Sequence, residues 1–81
     1  MHDNLEYVID KMEGLLYFID EWKHYYKLML RSAYDLAKYL GDENIEHFAK
    51  ELEIRCRALE QRYDRIYKFV EKLLDAFEIV R

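Results

Sequence analysis

The chain has 81 residues, 37% of them charged and 52% hydrophobic, with two glycines, no proline and a net charge of −4. That length makes a single domain, residues 1–81, near the size at which one core becomes hard to close, and the composition belongs to long helices rather than to sheet joined by turns. The acidic balance disfavours general binding to nucleic acid or anionic membranes, the longest apolar run (Leu15 to Ile19) is far too short to span a bilayer, and a lone Cys56 allows no internal disulfide and fits a reducing cytoplasm.

The first helix is expected over about residues 4–40. Asp3 followed by Glu6 has the spacing of a capping box, in which each side chain satisfies a free backbone amide of the first turn. From there apolar residues recur every three or four positions: Leu5, Val8, Met12, Leu15, Ile19, Trp22, Tyr26, Met29, Ala33, Leu36 and Leu40. Gly14 interrupts this helix away from the stripe, which is the pattern of a tolerated surface glycine.

Gly41 suits the left-handed residue that ends a helix, and Asp42 or Asn44 can cap the next one. The second helix, about residues 43–80, repeats the pattern with Ile45, Ala49, Leu52, Cys56, Leu59, Tyr63, Ile66, Val70, Leu73, Phe77 and Val80. The two stripes mirror one another about the turn: Leu40 pairs with Ile45, Leu36 with Ala49, Trp22 with Tyr63 and Met29 with Cys56, each pair summing to 85 in residue number. The expected fold is all-α, an antiparallel two-helix hairpin.

The residues beside the stripes predict more than a hairpin. A two-helix coiled coil carries charge at its heptad flanks, whereas one flank here holds Ile9, Leu16, Leu30, Ala37, Tyr67 and Leu74, and the other Phe18, Tyr25, Tyr39, Phe48, Phe69 and Ala76. So wide an apolar arc belongs to a bundle helix with several neighbours, and the simplest extra neighbours come from a second copy, giving a four-helix bundle. The aliphatic flank (Ile9, Leu16, Leu30, Ala37, Tyr67, Leu74) is expected to form that dimer contact, with Lys23, Glu53 and Glu60 pairing at its middle. In shape such a dimer of hairpins resembles Rop, the plasmid RNA-binding protein; the likeness is architectural, with no functional motif shared residue by residue.

Candidate chemistry is sparse. Glu21 and His24 stand at the Glu-x-x-His spacing of di-iron bundles, but the stripe puts both on the outer arc, where such a site would need them pointing inward. No metal site or other cofactor is expected. Cys56 falls on the apolar stripe as a small core residue. The chain has one serine, no threonine and no glycine-rich loop, so neither an enzyme nor a small-molecule substrate is expected.

The expected function is therefore that of a non-enzymatic adaptor or regulator, a homodimer that binds a protein partner. Phe18, Tyr25, Tyr39, Phe48, Arg55, Arg62 and Phe69 would form the partner surface, because aromatic rings and guanidinium groups dominate binding hot spots. The alternative is a Rop-like RNA- or DNA-binding regulator using the basic ridge Arg62, Arg65, Lys68 and Lys72. Against the ridge stand the i,i+4 pairs Glu51–Arg55, Glu53–Arg57 and Asp64–Lys68, which read as ordinary surface ion pairs.

Overall fold

The computed structural model describes residues 2–80, with side chains over 4–78. It contains α1 (His2–Leu40) and α2 (Glu43–Val80), packed against each other as a hairpin. The rod measures 59 × 17 × 14 Å between backbone extremes, the length expected of some 39 residues at 1.5 Å each. Neither helix is long and apolar enough to cross a membrane within the described residues. The side chains of Asp3 and Val80, expected as a cap and as the end of a stripe, lie outside the described ones.

The turn forms for local reasons. Gly41 adopts φ +62°, where a Cβ would be strained. This lets the Asp42 amide reach back to the Ala37 carbonyl at 3.3 Å, the long hydrogen bond of a Schellman ending. Asp42 then caps α2, its Oδ1 accepting from the amides of Asn44 at 2.8 Å and Ile45 at 3.4 Å. Glu43 and Glu46 add negative charge to that helix start. Gly14 lies within α1, and a Cβ built there would meet nothing within 4 Å, as a surface glycine should.

The seam between the helices differs from the expected one in rotation. Met12, Ile19, Tyr26, Ala49, Cys56 and Val70 are buried as the stripes require. The other half of each stripe is not: Val8, Leu15, Met29, Leu36, Leu59, Ile66 and Leu73 face water. Their places are taken by the row one residue further on, with Ile9, Leu30 and Ala37 buried and Leu16, Tyr67 and Leu74 partly so. Each helix is thus turned by about 50°, the angle between adjacent heptad rows.

The turn supplies a physical reason. Only Gly41 and Asp42 separate the helices, so their ends must lie close together. Small residues permit that approach: Ala37 is buried and Ala49 has 0% of its surface exposed. The expected seam would have set Leu36 and Leu40 in the same tight space.

The register moves with the rotation. Tyr26 bonds Glu60, Lys23 pairs with Asp64, Tyr34 bonds Glu53 and Tyr67 bonds Asp20, so partners now sum to 86 or 87 rather than 85. Trp22 still meets Tyr63 as expected, ring centroids 4.8 Å apart and edge to face. Cys56, however, clusters with Tyr26 and Leu30 rather than facing Met29, with Trp22 and Leu52 packed alongside. A second cluster of Ile9, Met12 and Val70, flanked by Leu5, Leu16, Leu74 and Phe77, closes the far end.

Candidate functional site

The rotation divides the rod into two unlike faces. On one, polar groups bridge the helices. Tyr26 donates to Glu60 Oε2 at 2.7 Å, with Lys27 Nζ 3.9 Å from the same oxygen. Tyr34 donates to Glu53 Oε1 at 2.9 Å, while Arg57 holds the other carboxylate oxygen at 3.0 Å. Tyr67 donates to Asp20 at 3.3 Å, and Lys23 pairs with Asp64 while lying 5.9 Å from the Tyr67 ring centre.

Burial and the hydrogen bond to Glu60 push the Tyr26 hydroxyl up to about 12. Tyr34 is raised mainly by its bond to Glu53, and Tyr67 by desolvation and by Asp20. Lys23 is also raised, chiefly by Asp64. Each tyrosine puts its ring against the seam and its oxygen at the rim, the arrangement an amphipathic ring favours.

Lys23, Glu53 and Glu60, expected to meet across a dimer contact, are thus partnered within the chain. So is the aliphatic flank. Ile9, Leu16, Leu30, Ala37, Tyr67 and Leu74 line the seam of the single hairpin, and Ile9 is only 2% exposed. Ile9, Leu30 and Ala37 are buried between α1 and α2, while Leu16, Tyr67 and Leu74 keep part of their surface.

The opposite face is apolar and open. Its inner rows are Val8, Leu15, Trp22, Met29 and Leu36 from α1 and Leu52, Leu59, Ile66 and Leu73 from α2; Trp22 and Leu52 are half-buried and the rest exposed. Its outer edges carry Phe18, Tyr25 and Tyr39 on α1 and Phe48, Arg55, Arg62 and Phe69 on α2, all exposed. Those seven residues of the expected partner surface therefore share one side of the rod. A hollow of 210 Å³ lies on it, lined by Leu15, Phe18, Ile19, Trp22 and Tyr63. The inner rows satisfy the same three-and-four spacing as a seam, so periodicity alone places them there; the signal that sets them apart is the alanine pair beside the turn, Ala37 and Ala49.

His24 is exposed, its ring edge-on to Tyr25 at 5.5 Å. Among the described residues no three His, Cys, Asp or Glu side chains gather as metal ligands would. Of the three expected i,i+4 pairs in the basic stretch, Glu53–Arg57 forms. Glu51 instead meets His47 at 3.3 Å, and Asp64 is taken by Lys23.

Comparison with known protein families, with characterised proteins and with solved structures finds no match to this chain.

Proposed function

We propose that this chain is a non-enzymatic protein-interaction module, an adaptor or regulator, that works as a homodimeric four-helix bundle assembled through the open apolar face. The observation that carries the reading is the continuity of that face. Apolar side chains run from Val8 to Leu36 along α1 and from Leu52 to Leu73 along α2, on the same side of the rod. A contiguous exposed apolar surface of this kind marks an interaction site.

The total surface agrees. The hairpin exposes 6792 Å², whereas a compact monomer of 10.1 kDa exposes about 5,300 Å². Two layers of helices would bury both the seam and the face, which a single hairpin leaves half done.

The aromatic and arginine residues at the edges, Phe48 and Arg62 among them, stand at the rim of the dimer contact, and the surface they keep there is the proposed docking site for a further protein partner spanning both copies. A protein recovered with the chain from its host and then purified supplies the test. Titrated calorimetrically, it should bind the Phe48→Ala and Arg62→Ala variants at least tenfold more weakly, the scale of a hot-spot residue. Wild-type affinity in folded variants of both removes these residues from the partner surface.

One observation favours a second reading. Asp64 is drawn across the seam to Lys23 and away from Lys68, and among the described residues Arg62, Arg65, Lys68 and Lys72 form no ion pair. A ridge of four free cations is suited to phosphates. Titration with single- and double-stranded oligonucleotides at ~50 and ~200 mM salt decides this: affinity that falls steeply with salt supports nucleic-acid binding, and no binding at either salt excludes it.

A further inference from the structure

The dimer reading can be taken one step further, to the orientation of the second copy. Within one chain, cross-seam partners sum to 86 or 87, so any residue of α1 has a known level on α2. The outer rows of the apolar face match under this rule. Phe18 is level with Phe69, Tyr25 with Arg62, Ser32 with Arg55 and Tyr39 with Phe48. These rows stand on opposite edges of the face and cannot meet within one hairpin.

We infer that a second copy of this chain covers the face about a two-fold axis parallel to the rod, with both turns at the same end. That operation lays the α2 of the second copy over this α1 at unchanged height. Phe18 then meets a Phe69, Tyr39 a Phe48 and Tyr25 an Arg62, giving two aromatic pairs and a cation over a ring, each repeated by symmetry. The Ile66 of the second copy, level with residue 21, is placed to fill the hollow between Phe18 and Trp22.

The outline of the face, 59 × 17 Å or about 1,000 Å², reaches the ~800 Å² per partner of a stable interface. The end-over-end alternative lays each helix on its own counterpart. Arg62 stands at the midpoint of α2, so full overlap would set like charge against like there.

The test measures distances between paired spin labels in the full chain, in a Cys56→Ala background. One label is placed at Glu43→Cys beside the turn and, in a separate variant, at Glu6→Cys near the other end; Glu43 and Glu6 are both exposed. Turns at the same end predict a label separation of about 20 Å at each site, the width of two helices. Separations near the rod length of 59 Å at both sites overturn this orientation while leaving the dimer intact. Labelled chains that sediment as monomers overturn both the orientation and the dimer reading on which it rests.

Discussion

The rotated seam makes a sharp demand at Ala49. Its surface is 0% exposed, and it is level with buried Ala37 beside a turn of two residues. Ala49→Leu adds three carbons where the helices are held closest. Overpacking a filled core costs about 1–3 kcal/mol, and the upper half of that range applies because the turn prevents the helices from parting. With a urea slope of roughly 1 kcal/mol per molar for a chain of this size, the unfolding midpoint falls by roughly 2–3 M.

The assay is urea denaturation followed by helical circular dichroism at one fixed chain concentration, since an assembling protein gains apparent stability with concentration. Ala58→Leu, at an exposed position of the same helix, controls for intrinsic propensity and should stay within about 0.5 kcal/mol of wild type. A second substitution tests which seam is correct. In the unrotated seam Leu36 faces Ala49, so Leu36→Ala would make room and restore the Ala49→Leu variant. In the structure Leu36 is half exposed and its truncation restores nothing. Recovery of the midpoint in that double variant would refute the rotation.

Three further outcomes are expected. Gly14→Ala should stabilise by about 1 kcal/mol in the same assay, because the new Cβ meets nothing within 4 Å and alanine is the better helix former. Asp42→Ala should destabilise by about 0.5–2 kcal/mol through loss of the cap on Asn44 and Ile45, with Asp42→Asn largely retaining stability. Stability should also decline in alkali. Tyr26 ionises near 10 when unfolded and at about 12 when folded, so between those values the unfolded chain holds fewer protons and gains on the folded one. Tyr34, Tyr67 and Lys23 are raised too and act in the same direction. Tyrosinate absorbance and circular dichroism followed together should show unfolding begin above pH 10 and less steeply in Tyr26→Phe; a flat stability from pH 9 to 12 contradicts the hydroxyl–carboxylate pairing.

Much of the architecture was legible because it rests on local chemistry. Gly41 and Asp42 end one helix and begin the next for reasons carried by those two side chains, and the mirrored stripes place Trp22 against Tyr63. The rotation was not legible from periodicity. In α1 two overlapping apolar rows stand beside a shared one: Val8, Leu15, Met29 and Leu36 compete with Ile9, Leu16, Leu30 and Ala37, and both satisfy the three-and-four spacing; in α2 the competing row is Glu53, Glu60, Tyr67 and Leu74, apolar only at its far end.

What separates the rows is size and polarity. Ala37 and Ala49 fit the close approach at the turn, and Lys23, Glu53 and Glu60 are acceptable at the seam because Asp64, Tyr34 and Tyr26 answer them from across it. Those partners are 19 to 41 residues distant in sequence and belong to no motif. The exposed residues Phe18, Tyr25, Tyr39, Phe48, Arg55, Arg62 and Phe69 were visible as a flank, but their continuity with Leu15, Met29, Leu59 and Ile66 as one face follows only once the seam has turned away from it.

The mass in solution tests the proposed covering of the apolar face most directly. Sedimentation equilibrium at micromolar concentration should return twice the chain mass of 10.1 kDa, and Ile66→Glu, which puts a charge on the exposed face, should return a single chain mass. A helical wild-type species of 10.1 kDa at every concentration would contradict the account, since the apolar face would then stand open to water in the working protein.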